Sequence, residues 1–229
     1  STNGFSGLVD AENEATEKYD ETAAITEAEM EIAKESGDED AYKEAVGRLR
    51  ENWSAAFTEM ARLRHETALA KAPAVVEYCK DLLEGGTEKL VAFVHHRDVG
   101  DILSTGLAEF GPVILRGGMS PEEKQASVDA FQNDPSTRVF VGSIQAAGVG
   151  ITLTAASTVV FAELDWVPGN ITQAEDRLHR IGQLNSVNVH HLVVDGSLDA
   201  KLAKTLVSKQ EVITVATGTA EFTPESPVA

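Results

Sequence analysis

The segment QAEDRLHRIGQ, residues 173–183, sets Gln173, Arg177 and Arg180 at i, i+4 and i+7, a spacing that lines one face of a helix. Two guanidinium groups converging from one face match the paired acceptors of a phosphate and the charge that develops when a phosphoryl group is transferred. A plainer reading competes with this one. Asp176 with Arg180, and Glu175 with His179, are i,i+4 pairs of the kind that stabilise a helix by about 0.2–0.5 kcal/mol each. Position favours the phosphate reading, because the segment follows the strand-like run ending AELDW (162–166) and its start faces the carboxyl edge of whatever sheet that strand joins.

Other residues invite chemistry and carry less of it. GVGITLTAAS (148–157) imitates a dinucleotide fingerprint, but Leu153 occupies the third glycine position and no tight turn joins strand to Gly148. Gly148 and Gly150 fit better a backbone that must approach a phosphate or another strand closely. The pairs His95–His96 and His190–His191 suggest a metal. Neighbours on a strand point to opposite faces, so neither pair is expected to chelate jointly, and no third ligand stands at zinc-like spacing. Asp165, Glu175 and Asp176 could act as bases, though carboxylates beside arginines more often pair with them. Cys79, the single cysteine, falls on a helical stripe with Val75, Tyr78 and Leu82 and reads as packing, in a chain suited to a reducing compartment.

The elements that must position these residues follow from periodicity. KLVAFVH (89–95), PVILR (112–116), TRVFVGS (137–143), STVVFAE (157–163) and VNVHHLVV (187–194) are β-branched or aromatic runs of buried-strand length. Helical patterns separate them at 97–109, at 120–132 with Ser120, Pro121 and Glu123 as a capping box, at 169–181 and at 198–215. A further helix, 72–84, precedes the first strand. Strand and helix alternate, which predicts an α/β fold with an open, mostly parallel sheet whose ligands collect at the carboxyl ends of the strands.

Two helical stretches come first. Tyr42, Val46, Leu49, Trp53, Phe57, Met60 and Leu63 recur at steps of three and four and predict a packed stripe; a sparser line runs through Tyr19, Ala23, Ile25, Ala28 and Ile32. SGDED (36–40) supplies a stop and a new N-cap between them. Residues 1–60 carry 16 acidic and 5 basic side chains of a chain with net charge −18, so this predicted hairpin holds most of the excess acid. A solvated acidic face explains that charge better than a dedicated site for a basic partner, and the overall sign works against nucleic acid at long range. The expected division is an acidic hairpin (1–66), an α/β lobe (67–215) and a flexible tail (216–229). No run is long and apolar enough to span a bilayer and no secretory signal opens the chain. A cytoplasmic location is therefore expected, or a nucleoid-associated one in a bacterial or viral setting. The chain starts with Ser, as a piece of a longer polypeptide would.

The segment SIQAAGVGITLTAASTVVFAELDWVPGNITQAEDRLHRIGQ resembles motifs V and VI of superfamily 2 helicases, specifically the SWI/SNF-type ATPases, through DW-x-P followed by QA-x-DR-x-HRIGQ. VAFVHHRDV (91–99) resembles motif IV, and LRGGMSPEEKQASVDAFQ (115–132) the next strand, loop and helix of the second RecA-like lobe. Residues 192–213 are similar to the helix that closes that lobe. Ser143-Ile144-Gln145 at the opening of motif V, Thr152 where many remodellers have Asn, and the His pair of motif IV point to the annealing-helicase branch. The fold this implies is a RecA-like helicase C-terminal lobe behind an acidic helical hairpin that sits, by position only, where the family places a helical insertion.

The resemblance also implies roles. Arg177 and Arg180 would be arginine fingers; Gln173, with Asp176 beside it, would help orient the nucleotide; Gly148, Gly150 and Thr152 would couple nucleotide to DNA. His96, Gly117, Gly118, Ser120 and Ser143 would meet DNA phosphates. ATP and Mg2+ would be held mainly by a first RecA-like lobe, since this sequence contains no GxxxxGK[ST] loop and no acidic magnesium box. The chain alone is expected to be inactive, its partners being that lobe and double-stranded or forked DNA, with no membrane. Loss of either arginine is expected to abolish hydrolysis and spare the fold. A catalytically inactive RecA-like remnant serving as a protein-interaction module is the alternative; it explains the acidity and leaves QAEDRLHRIGQ without a purpose.

Overall fold

A computed structural model describes residues 5–147, 151–178 and 186–206. The five apolar runs pair into one sheet, β1 (Leu90–Val94), β2 (Pro112–Leu115), β3 (Val139–Ser143), β4 (Thr158–Phe161) and β5 (Asn188–His191), in the order β2-β3-β1-β4-β5. Every pairing is parallel. Each predicted strand is present but shorter than its apolar run, β4 and β5 spanning four residues each. The register brings the carboxyl ends level, with Val94 opposite Ser143 and Phe93 opposite Phe161. Because β1 is central and the chain leaves it toward β2, then returns past it to β4, the carboxyl ends of β1 and β4 flank the point where the connections diverge. Open α/β sheets leave a crevice at that point.

Helices cover both faces, as burial of a fully apolar parallel sheet demands. On one face lie α2 (Glu39–Glu84) and α3 (Arg97–Gly106), packing Val75, Val76, Cys79, Leu83 and Leu103 onto Leu90, Ala92 and Val141. On the other lie α4 (Pro121–Asn133), the short α5 (Ile144–Ala147), α6 (Pro168–Glu175) and a helix over 198–206, with Phe131, Ile171, Ala174 and Leu206 against Phe93, Phe140 and Phe161. Cys79 is wholly buried, and burial pushes its thiol up to about 12, so it remains a neutral packing residue. Both reciprocal hydrogen bonds of the Ser120–Glu123 capping box open α4.

The front of the chain differs from expectation in two ways. The helix expected to begin at residue 72 is the continuation of α2, which runs 46 residues through Pro73 and crosses the boundary drawn at residue 66. A proline inside a helix costs about 3 kcal/mol or more. Burial on both sides of it, Leu63, Ala68 and Ala72 before and Val75, Val76 and Leu83 after, holds the helix together. The second difference concerns the hairpin of α1 (Ser6–Ser36) and α2. Gly37 in the left-handed region (φ 73°) ends α1, and the Asp38 carboxylate caps α2 at the Ala41 N–H (2.9 Å). Only part of the expected apolar stripes packs there: Leu63 is buried and Val46, Leu49, Phe57 and Met60 are half-buried, but Ile25 and Ile32 are 64% and 67% exposed, and Tyr42 and Trp53 are exposed as well. Toward the hairpin's tip the buried residues are small, Thr26, Ala33 and Ala45, because two helices with no third layer approach closely through small side chains and leave large ones outside.

Near its start α1 is tied to the lobe by a buried carboxylate. Glu12, 1% exposed, accepts hydrogen bonds from the Thr67 hydroxyl (2.7 Å) and the Leu198 N–H (2.8 Å), so one side chain joins α1, α2 and the first turn of the 198–206 helix. One residue on, Asp199 accepts from Arg64 Nε (2.8 Å) and lies 3.4 Å from Lys71 Nζ. Arg64 also donates to the Leu164 carbonyl, and Lys71 to that of Leu192 (2.8 and 2.7 Å). A buried ion network of this kind is costly to break on one side, since the remaining charges stay buried and unmatched. Asp199→Ala is expected to lower unfolding free energy by about 3–5 kcal/mol in urea denaturation. Lys43→Ala, which removes an exposed pair with Glu39, should change it by less than about 1 kcal/mol.

Candidate functional site

The segment that carries Arg177 is built by a helix that stops early. α6 ends at Glu175, and the bonding tightens there: the Asp176 N–H reaches back four residues to Thr172 (3.0 Å), but those of Arg177 and Leu178 reach only three, to Ala174 and Glu175 (3.2 and 3.0 Å). The Arg177 carbonyl is then taken by the Leu153 N–H (3.0 Å), which closes the helix to further growth. Gln173 therefore lies within α6 and Arg177 in the turn after it, so the helix expected over 169–181 already ends at Glu175. Gln173 and Asp176 are exposed, whereas Arg177 is only 6% exposed. Arg180 lies outside the described residues, as do Gly148 and Gly150 and the expected partner of Glu175, His179.

The same hydrogen bond brings Thr152, next to Leu153, beside Arg177. That loop is held from a third side by Gln132 of α4, whose amide donates to the Thr152 carbonyl (3.0 Å) and accepts from the Ala155 N–H (2.8 Å). Sequence reasoning missed Gln132, since a glutamine near the end of an amphipathic helix carries no signal of what its amide meets across the fold.

The predicted DNA-contacting residues gather at the carboxyl ends of three neighbouring strands. His96 follows β1, Gly117, Gly118 and Ser120 follow β2, and Ser143 ends β3. Arg97 joins the first two loops by donating to the Gly117 carbonyl (2.9 Å). Gly118 has φ 89°, a conformation that disfavours any side chain with a Cβ.

The switch-point crevice between β1 and β4 is more charged than the sequence suggested. Glu163, buried, accepts from the His95 and His96 N–H groups (2.8 and 2.9 Å) and pairs with His96 Nδ1 (2.5 Å). The His96 ring stacks on His65 of α2 (3.9 Å between centroids, 14°), and His65 Nε2 binds the Asp98 carboxylate (2.8 Å). His95 Nδ1 lies 3.7 Å from Asp165 Oδ2, each without a hydrogen-bond partner among the described residues. Arg64 spans the other wall with its guanidinium 4.0 Å over the Trp166 ring. The expectation that His95 and His96 point apart fails, because β1 ends at Val94 and both rings sit in the bend beyond it, 4.8 Å apart. It holds within β5: His190 meets Tyr78 OH of α2 (2.9 Å) on one face, and His191 lies 3.5 Å from Glu175 of α6 on the other. Among the described residues no three His, Cys, Asp or Glu side chains converge as a metal site would require. Nothing in the local sequence pointed to His65 or Arg64, which reach the crevice only because α2 lies across it.

Burial, then the neighbouring His96, pushes the His95 pKa below its ordinary 6.5, outweighing the pull of Glu163 and Asp165. His190 is lowered too, again first by burial and then by His191. The folded state thus prefers both rings neutral. Their contribution is fully present above about pH 6.5 and is lost as the pH falls through that value toward the lower folded pKa, since the unfolded chain takes up the protons first. NMR titration should place both imidazoles below 6.5, and the loss of stability between about pH 7 and pH 5 should be shallower in His95→Gln; an unchanged slope would count against this assignment.

Comparison with known proteins meets this geometry from outside. Residues 74–182 match the helicase conserved C-terminal domain. The human DNA annealing helicase and endonuclease ZRANB3 is 46% identical over 153 residues, covering 66% of this chain and 14% of that protein. The Xenopus tropicalis SWI/SNF-related matrix-associated actin-dependent regulator of chromatin subfamily A-like protein 1 is 44% identical over 151 residues, 65% of this chain and 16% of that one. The chain thus spans about one-seventh of these relatives' length. Among solved structures, the Sulfolobus solfataricus SWI2/SNF2 ATPase C-terminal domain superposes with a TM-score of 0.52 at 23% identity, covering 83% of this chain and 81% of that domain, which establishes a shared fold.

Proposed function

We propose, from the match of residues 74–182 to the helicase conserved C-terminal domain and the likeness to relatives named as SWI/SNF-related proteins and DNA annealing helicases, that this chain is the C-terminal motor lobe of a DNA-dependent ATPase that remodels DNA or protein–DNA complexes. The observation that carries the reading is the main-chain bond from Leu153 to Arg177. It locks the segment resembling motif V to the one resembling motif VI, so a shift at one is felt at the other. That is the coupling a motor needs between nucleotide and DNA.

ATP with Mg2+, held mainly by a first lobe carrying the phosphate loop this sequence lacks, would supply the phosphoanhydride bond and the charge that develops as it breaks. Exposed Gln173 and Asp176 fit a nucleotide-facing rim, Gln173 as donor and acceptor to the nucleotide. Arg180 is assigned as the finger that reaches the triphosphate. Arg177 is assigned to the same machinery, with its burial suited to holding the turn in shape and delivering charge only on lobe closure. Gly148, Gly150 and Thr152 would relay the closure. On the DNA side, backbone amides at Gly117 and Gly118, the hydroxyls of Ser120 and Ser143 and the His96 Nε2 offer donors to phosphates along adjacent strand ends. Such contacts position a duplex or fork without reading bases.

The alternative of an inactive interaction module is not favoured by relatives named as helicases. The cytoplasmic location expected from composition has no support among them either, and we place the chain with DNA. No described helix is long and apolar enough to cross a membrane.

In the two-lobe enzyme, Arg180→Ala should lower DNA-stimulated ATP hydrolysis by on the order of 10³-fold or more with an unchanged melting temperature. Arg177→Ala should lose activity and also melt at a lower temperature, because it empties a site that is only 6% exposed. This revises the expectation that either change would spare the fold. Wild-type turnover in Arg180→Ala would sink the finger assignment.

A further inference from the structure

One line of side chains on α2 has no part in the motor reading. Arg50, Trp53, Phe57, Ala61 and Arg64 stand at i, i+3, i+7, i+11 and i+14, a single stripe of a helix about 21 Å long. It begins in solvent and ends in the switch-point crevice. Trp53 is 53% exposed, Phe57 is half-buried, and Ala61 and Arg64 line the crevice with His95, His96, Glu163 and Trp166.

The rings along it form a continuous stack. Trp53 lies parallel on Phe57 (5.3 Å, 14°), Phe57 meets Trp166 at a tilt (5.2 Å, 42°), and the Arg64 guanidinium lies 4.0 Å from the centre of the Trp166 ring. The stack is thus rigid and backed at its inner end, with an indole left open at the outer one. α1 reaches this side of α2 only further along, where Thr16 meets Met60 (3.9 Å), and Trp53 stays 53% exposed.

The local charge is also unlike the rest of the hairpin. The helical neighbours of Trp53 at three and four positions are Leu49, Arg50, Ala56 and Phe57. Arg50 is exposed and has no ion-pair partner among the described residues. Glu51 lies off this stripe, and Glu59 is held by Arg62 (2.7 Å).

We propose that this stripe is a binding track for unpaired nucleobases of DNA, with the open face of Trp53 as the stacking platform and Arg50 as the contact to the adjoining phosphate. The proposal rests on the reading of the carboxyl edge as the DNA face, and it deepens that reading by naming the DNA structure bound. A π-face stacks on indole whatever the base, so the track tolerates any sequence. A guanidinium beside it matches the phosphate that the stacked nucleotide brings. Because the stripe ends next to His96, a strand that leaves the duplex at a fork has a continuous path from the phosphate-binding loops onto α2. A blunt duplex offers no free base and gains nothing from Trp53.

Photocrosslinking of the 229-residue chain at low salt tests this, using a forked duplex with 5-iodouracil in its single-stranded arm and a blunt duplex of the same length, alongside anisotropy titrations. A crosslink at Trp53 is expected. Trp53→Ala should bind the fork about tenfold more weakly and the blunt duplex unchanged, at an unaltered melting temperature. Trp53→Phe should retain most of the preference, and Arg50→Ala should reduce the salt slope for the fork by about one. Equal binding of fork and blunt duplex, or crosslinks confined to the carboxyl-edge loops, would overturn the track and leave the DNA face standing. Binding of neither DNA in the anisotropy titrations would overturn both.

Discussion

Two buried carboxylates at the start of one helix hold the molecule's arrangement together. Glu12 and Asp199 converge on the first turn of the 198–206 helix, one accepting its Leu198 N–H and the other belonging to it. Both also bind α2, through Thr67, Arg64 and Lys71. A helix N-terminus favours negative charge, and two cations from α2 match it. The consequence is geometric: a long helix that otherwise only covers one face of the sheet is locked at its middle against the loop after β4. With that lock in place, the Arg64 guanidinium lies on Trp166, and the next residue, His65, stacks on His96.

Two regions around the sheet differ in character. Between β1 and β4 the polar groups are densely paired, with Glu163 ordering the two amides and one ring of the His pair, and Asp98 holding His65. Around α6 the order comes from the main chain and from one amide side chain, Gln132, which fixes the loop that carries Thr152. The first part is a rigid frame. The second joins the two segments that, in a motor, must move together.

Much of the fold was legible along the chain. The five strands announce themselves as short β-branched runs between helical patterns, and a wholly parallel sheet follows because each is joined to the next through a crossover. The capping box at Ser120 and the stop at Gly37 are local signals, and local signals survive into the structure. Packing partners are not local. Nothing in the period of α1 tells that Ile25 and Ile32 have no layer to pack on, and nothing at Pro73 tells that buried residues on both sides will carry a helix through a proline. The reach of α6 was overestimated for a related reason: the carbonyl that ends it is claimed by a loop some twenty-four residues earlier.

By itself the sequence determined the α/β class, the strand set, the kinship of residues 74–182 and the residue types available at the carboxyl edge of the sheet. These depend on periodicity and on short motifs whose chemistry is carried by neighbours in the chain. Tertiary structure alone decided which of those residues meet. Arg177 turned out buried beside Leu153, His65 and Arg64 were delivered to the crevice from a helix that begins far away, and Trp53 was left uncovered on that same helix. The physical reason is that burial and pairing are properties of surfaces brought together by the whole fold, and a residue's type fixes only what it can do once it arrives.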